Sequence, residues 1–464
     1  MDAQRRVKIV VTVGPASWLE ETLQAIGREG VEGFRFNFSH FDHENFRRAA
    51  SYLRSLENPL RPLTLIADLQ GPVVMLGEFS EFPVKAGDTV KFVPAREAGE
   101  GVPVDKVIFS VAAENDILSV EAGRLAFRVL RNDGHVIAAQ ALVDGLLKPR
   151  KTLAIKGKDL PLPSLTQKDL KDLKFAVEAG FDAVALSFVR RAEDVARARE
   201  VLEDLGASDV RLIAKIETGS AVENIDRILD LADGILVARG DLANYYDLEK
   251  IYSVQQFLIS KARQRGKPSI VATQLLESMI DNPVPTRSEV VDVVTAVKMG
   301  ADALMLAGET AAGKYPLEAV RWLKKIALEA AQFHEEEAVE PGSSEAYEVI
   351  ARGVVALADI ISGKILAFSE GGNTARRLAK YRPRGPVIVY TNRLSTARYA
   401  NLLRGLIPVY MPDLAKTDVN LFERMLEHAV SVGLVSAGDI VVFTAGRRPG
   451  ATDLITVEKV KPKL

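Results

Sequence analysis

The chain of 464 residues contains no cysteine. That excludes disulfides, thiolate metal sites and a cysteine nucleophile. Net charge is also nearly absent, with 60 Lys and Arg against 62 Asp and Glu, so neither a nucleic acid nor an anionic membrane finds an electrostatic handle. No apolar run reaches the roughly 20 residues of a membrane span, and the opening Met1-Asp2-Ala3-Gln4-Arg5-Arg6-Val7-Lys8 lacks the apolar core of a signal peptide. The expected setting is the cytoplasm, with no membrane and no nucleic-acid partner. Histidine and tryptophan are scarce. His43, His135, His334 and His428 have no metal-ligand spacing, and Trp18 and Trp322 lie in helix-like segments where packing is the expected role.

What is present is a repeat of buried-strand signals. Short β-rich runs at Lys8–Val13, Phe34–Ser39, Thr64–Gln70, Ala183–Phe188, Arg211–Glu217, Gly234–Asp241, Ser269–Gln274 and Ala303–Glu309 are separated by helical stretches. Eight strand-helix units predict a closed, parallel (β/α)8 TIM barrel within an α/β fold. One interval is too long for a single helix. Between Gln70 and Ala183 the pattern changes to short alternating runs with turn residues, such as Val84 to Val93, which predicts an inserted β-barrel-like lid domain. Gly71-Pro72 and Leu160-Pro161-Leu162-Pro163 are its hinges. Glu335-Glu336-Glu337 and Pro341-Gly342-Ser343-Ser344 mark a linker, after which the runs Lys364–Phe368, Val387–Tyr390, Ile407–Tyr410 and Asp439–Phe443 predict an open α/β domain. The expected division is 1–70 with 160–335 for the barrel, 71–159 for the lid and 345–464 for the C-terminal domain.

The ends of the barrel runs carry the chemistry. Charge at the end of a buried strand is costly unless something binds there. Ile213-Ala214-Lys215-Ile216-Glu217 and Leu236-Val237-Ala238-Arg239-Gly240-Asp241 both end this way, and Lys215 and Glu217 share a strand face. Arg35, Asn37 and Ser39 at run two, Asp68 at run three, Ser187 at run four, Thr273 and Gln274 at run seven and Glu309 at run eight add further polar ends. Glu217 and Asp241 suit Mg2+, which takes one or two carboxylates and leaves its other positions to water and substrate. Arg35 and Lys215 suit phosphate. Two phosphorylated anions brought together repel by about 4 kcal/mol per pair of unit charges about 4 Å apart at an effective dielectric of about 20. Cations that offset this point to phosphoryl transfer.

These strings resemble the pyruvate kinase family over essentially the whole chain. Val7 to Ser17, Arg35 to His40, Ala214 to Glu217, Ala238 to Leu242, Ala272 to Met279, Pro285 to Glu289 and Gly308 to Ala311 are similar to its motifs. The resemblance implies Mg2+-dependent transfer of a phosphoryl group from phosphoenolpyruvate to ADP, giving ATP and an enolate that is then protonated to pyruvate. It implies that Glu217 and Asp241 hold Mg2+, that Lys215 stabilises the group in flight, and that Thr273 lies beside the substrate. Arg35 would bridge phosphates, Asn37, Phe38, Ser39 and His40 would lie near the nucleotide, and the backbone of Ala238, Arg239 and Gly240 would receive the substrate carboxylate. Asn37, Ser39 and Asp68 match members of the family's K+ site, but Leu69 stands for its threonine and Val73 for the glutamate associated with K+ dependence, so turnover without K+ is expected. Met75 replaces an arginine that helps hold nucleotide phosphates. Ser369, Gly371, Gly372, Asn373 and Thr374 resemble the family's loop for a phosphorylated effector, although Glu370 is ill suited to an anion pocket. A homotetramer is implied by likeness. The rival readings are a metal-dependent, enolate-forming TIM-barrel aldolase or lyase, and a non-catalytic metabolite sensor.

Overall fold

The computed structural model describes residues 7–40, 43–95, 101–121, 123–332, 345–446 and 453–461. Eight parallel strands, Lys8–Val13, Gly33–Asn37, Thr64–Asp68, Ala183–Leu186, Arg211–Ile216, Gly234–Ala238, Ser269–Ala272 and Ala303–Leu306, close into a barrel in chain order. The eighth returns to the first with Ala303 opposite Lys8. Helices cover the outside, so these strands are buried on both faces and read as continuous apolar runs. Seven of the eight stop one to three residues short of the runs read from sequence. At those points the chain turns instead of pairing: Phe38–His40 forms a 3-10 turn, Arg239–Leu242 and Gly308–Ala311 form short helices, and Phe188, Thr273 and Gln274 adopt left-handed backbone angles. The polar strand ends are therefore the turns that ring the barrel mouth.

The excursion between strands three and four holds a six-stranded sheet and a two-stranded sheet. It has its own apolar core, with Phe92 and Phe127 packed edge to face at 5.5 Å. It leaves the barrel at Gly71, where φ is +71° and a Cβ would stand 2.7 Å from Cβ of Ser187, so only glycine fits. The Gly71 N–H donates to Asp169 at 3.0 Å. Asp169 is also the third residue of the helix Gln167–Glu178, in a capping box with Thr166. Both ends of the excursion are thus tied to one helix start.

The floor of the barrel follows a fourfold pattern. Directly before strands two, four, six and eight stand Glu32, Asp182, Asp233 and Asp302. Each accepts a backbone N–H from the neighbouring odd-numbered strand, from Ile9 at 2.9 Å, Leu65 at 2.7 Å, Leu212 at 2.9 Å and Ser269 at 3.1 Å. The C-terminal domain docks onto this ring. Arg398 donates to Asp182 at 3.0 Å, Arg382 to Asp302 at 2.7 Å, and the Tyr399 hydroxyl to the Asp233 carbonyl at 2.7 Å. Leu402, fully buried, packs in one cluster with the barrel-interior residues Val10, Ile66, Ile213, Leu236 and Ile270. That domain is a five-stranded sheet in the order Leu406–Tyr410, Val387–Thr391, Lys364–Phe368, Ile440–Ala445, Leu454–Lys459. Its last strand, antiparallel and largely exposed, was not read from sequence because it carries no buried run.

Trp18 lies in the turn before the helix Glu20–Arg28 rather than within a helix, and Trp322 lies within the helix Pro316–Gln332; both pack against the barrel core. His334, Glu335 to Glu337 and Pro341 to Ser344 lie outside the described residues. Among those described, no helix is long and apolar enough to cross a membrane.

Candidate active site

Arg35, Asp68, Lys215, Glu217 and Asp241 converge at the carboxyl ends of strands two, three, five and six. Nε and Nη2 of Arg35 lie 2.8 and 2.6 Å from one oxygen of Asp68, and Nη1 lies 3.3 Å from Oγ1 of Thr12. The other Asp68 oxygen is 3.1 Å from the Lys215 ammonium. That ammonium also touches Oε1 of Glu217 at 2.8 Å and donates to Oγ of Ser187 at 2.6 Å. Oε2 of Glu217 accepts the N–H of left-handed Phe188 at 2.8 Å. Burial draws the Lys215 ammonium toward neutrality, but Asp68 and Glu217 outweigh it and raise its pKa. Burial likewise pushes the Asp68 carboxyl up, and Arg35 and Lys215 outweigh it, so its pKa falls.

Asp241 differs from both. Its carboxylate accepts no hydrogen bond from the described residues, and burial followed by repulsion from Glu217 pushes its pKa up to about 7. Three carboxylates here face two cations, an excess of one negative charge in a buried place. A divalent cation fits that imbalance, because it would reverse the sign of the site and make it attractive to phosphates. Among the described residues no group of three or more His, Asp or Glu side chains is placed to hold a metal ion by itself.

Beyond strand seven, Thr273 and Gln274 have φ of +67° and +55°, a backbone that costs each residue about 1–2 kcal/mol. Oγ1 of Thr273 accepts the Gly240 N–H at 3.1 Å. The Arg239 side chain turns away from the mouth, toward Asp292 and the Thr273 carbonyl. At the end of strand two, Oδ1 of Asn37 accepts the Ser39 N–H at 3.2 Å. The Phe38 ring is buried among Phe46, Phe175 and Phe181, and its carbonyl accepts from Lys168 at 2.6 Å. Glu309 is also spent internally, on the N–H groups of Leu276 and Ala307 at 3.1 and 2.7 Å.

The lid completes the enclosure. A cavity of about 280 Å3 is lined by Arg35, Asn37, Ser39, Lys215, Glu217 and Asp241 below and by lid residues including Thr152, Lys158 and Asp159 above. Three residues after Asp241, Asn244 fastens the lid: its side-chain oxygen accepts from Ser119 at 2.9 Å, and its carbonyl from the Gly157 N–H at 2.8 Å. The adjacent Tyr245 phenol faces Asp159, and burial and then that carboxylate raise its pKa. Lys158, Asn244 and Tyr245 escaped the sequence reading. Lys158 lies in irregular lid sequence, and Asn244-Tyr245 follows a strand end without itself being one.

In the C-terminal domain, Gly372 is left-handed at φ +88° and precedes the helix Asn373–Lys380. Ser369 and Thr374 are buried, and the Glu370 carboxylate lies 3.7 Å from Arg393 and 3.6 Å from Lys416.

Fold and site together define a (β/α)8-barrel enzyme with a lid across its mouth and an α/β domain beneath its floor. Comparison with known proteins agrees and goes further. The family model "Pyruvate kinase, barrel domain" matches residues 4–320, and "Pyruvate kinase, alpha/beta domain" matches residues 348–458. The chain is 35% identical to the pyruvate kinase of Geobacillus stearothermophilus, across 98% of this chain and 80% of that one. It is also 35% identical to the enzyme of Methylorubrum extorquens, with 98% of each covered, and 33% identical to that of Clostridium acetobutylicum, covering 98% of this chain and all of the other. The chain belongs to the pyruvate kinase family. It is a phosphotransferase acting on phosphoenolpyruvate and ADP, in a family that is generally metal-dependent. The aldolase or lyase reading and the sensor reading are set aside.

Proposed function

We propose that phosphoryl transfer takes place above Lys215, in the cavity between the barrel mouth and the lid, and that Glu217 and Asp241 hold the Mg2+ the reaction uses. The supporting observation is the Lys215 ammonium set between Asp68 and Glu217, beside an Asp241 carboxylate that accepts no hydrogen bond from the described residues. When bound, Mg2+ supplies positive charge that offsets the phosphoryl oxygens of the two substrates. Lys215 balances charge on the group as it leaves the enol oxygen of phosphoenolpyruvate for the terminal phosphate of ADP. Arg35, oriented by Asp68 and Thr12, binds the phosphates, and Asn37 to His40 receive the nucleotide. The Gly240 amide already serves Thr273, so the substrate carboxylate falls to the neighbouring amides of Arg239 and Asp241. Thr273 stands beside the carbon that is protonated once the enolate has formed.

The monovalent site is the point of departure from the family motif. Both oxygens of Asp68 are engaged by Arg35 and Lys215, and Leu69 brings no hydroxyl. The chain's own cations supply the charge there, and K+ is not required. Pyruvate formation from phosphoenolpyruvate should therefore depend on ADP and Mg2+ and should change less than about twofold when KCl replaces an organic-cation chloride at constant ionic strength. A tenfold rise with KCl would overturn this reading of the site.

We extend the proposal to the loop of Ser369, Gly371, Gly372, Asn373 and Thr374 as the site of a phosphorylated effector. Glu370, held by Arg393 and Lys416, is the acid such a ligand must displace. A thermal-shift screen of phosphorylated metabolites should show a stabilisation that is lost in Thr374→Ala; an unchanged shift in that variant would place the ligand elsewhere. A homotetramer rests on likeness to the family. The setting we propose is the cytoplasm.

A further inference from the structure

We propose that Arg239 and Asp292 form a positioning pair that holds Thr273 in its left-handed conformation, and so set the rate of the step in which that threonine takes part. This rests on the reading above that Thr273 stands beside the substrate. Arg239 is 7% exposed, and among the described residues the hydrogen bonds of its guanidinium run to Asp292 and Thr273, not to the charged cluster at the mouth. Its Nη1 lies 2.8 and 2.6 Å from the two oxygens of Asp292, and its Nη2 donates to the Thr273 carbonyl. One planar side chain thus joins three pieces of the barrel: the end of strand six, the turn after strand seven and the helix Arg287–Lys298 that carries Asp292.

The arrangement answers a local need. Two successive non-glycine residues, Thr273 and Gln274, are left-handed, and such a turn persists only where its surroundings determine it. The backbone is fixed by Nη2 of Arg239, and the Thr273 hydroxyl is fixed from the next residue by the Gly240 N–H at 3.1 Å. Neighbouring residues at the start of the short helix after strand six therefore grip the carbonyl and the hydroxyl of one threonine. The same outer helix holds the loop a second time through Glu289, which accepts from the Ser278 N–H at 2.7 Å and the Ser278 hydroxyl at 2.6 Å. Asp292 keeps the guanidinium in place. A buried guanidinium without a carboxylate would swing toward solvent, and the Thr273 carbonyl would lose its donor.

The test is steady-state kinetics and thermal unfolding of the full-length Mg2+-loaded enzyme. Asp292→Asn should lower kcat by about ten- to a hundredfold through misplacement of the threonine, with KM for phosphoenolpyruvate within about twofold. Asp292→Glu should recover most of the loss, which a merely structural role would not require. Arg239→Lys keeps a positive charge but cannot serve Asp292 and the Thr273 carbonyl together. It should show the same kcat defect, and it decides the matter if Asp292→Asn fails to fold. Because the pair acts through Thr273, the double variant Asp292→Asn with Thr273→Ala should be no slower than Thr273→Ala alone. Losses that multiply in the double variant, or a wild-type kcat in Asp292→Asn and Arg239→Lys while Thr273→Ala is slow, would overturn the positioning role alone. Full kcat in Thr273→Ala would remove the role given to the threonine, and the proposal with it.

Discussion

Replacing Lys215 by methionine should lower kcat by about 10²–10³-fold, the usual cost of losing one preorganised donor to developing charge. The side chain keeps its length, but its ammonium contacts with Asp68, Glu217 and Ser187 are gone. Two buried carboxylates then lose their shared cation, so part of the effect appears as stability: Tm should fall at neutral pH, and the gap to wild type should narrow as the pH is lowered through the range in which Asp68 takes up its proton. The sign follows from the direction of the shift. The folded-state pKa of Asp68 is depressed by Arg35 and Lys215, so its contribution to stability is present above its unfolded value and lost as pH falls through the folded one. Without Lys215 that depression shrinks and the advantage of neutral pH shrinks with it. Circular dichroism separates a folded, inactive variant from an unfolded one, and a folded variant that keeps more than a tenth of wild-type kcat would remove Lys215 from its assigned place.

The paired amides Glu217→Gln and Asp241→Asn should be more severe still. A divalent cation supplies several kcal/mol of charge stabilisation in the transition state, at about 1.4 kcal/mol per factor of ten, so a loss of at least about 10³ is expected. Activity should not return at high Mg2+, and calorimetric titration with Mn2+ should show no binding at the mouth. Stability should respond in opposite directions at the two positions: neutralising Asp241 removes a repulsion in an environment that already favours its proton, whereas Glu217→Gln gives up the buried 2.8 Å ion pair with Lys215. Full turnover in the doubly amidated protein, or unchanged Mn2+ binding, would place the cation elsewhere.

The barrel was legible because its strands are buried on both faces, which forces apolar runs that survive in a one-dimensional reading. The lid was legible from the opposite signal, the change to alternating runs beyond Gln70. At the mouth, a charged residue closing an apolar run was enough to pick out Arg35, Lys215, Glu217 and Asp241, which the structure brings together. Direction was not legible. Nothing in the sequence says that Glu309 bends back onto Leu276 and Ala307, that the Phe38 ring faces the core, or that the Arg239 side chain leaves the mouth for a helix 53 positions along. Periodicity reports which face of an element is apolar, and pairings between distant elements leave no trace in it. The floor is the extreme case, since Leu402, Arg382 and Arg398 meet strand roots that precede them by some 80 to more than 300 residues.

That floor bears on how such a chain can be inherited and rearranged. Leu402 is as much a part of the barrel's interior as Ile213 or Leu236, though it belongs to another domain. A gene fragment ending after the eighth strand and its helix would encode a vessel with its base missing: an apolar opening beneath the strands, and Asp302 stripped of its cation. Losing one partner of such a buried pair costs about 3–5 kcal/mol, and an empty leucine site about as much again, together comparable to the whole stability of an ordinary domain. Recombination that exchanged the C-terminal portion for a foreign one would have to bring a matching stopper and matching arginines, so packing and charge together tie the two segments to each other.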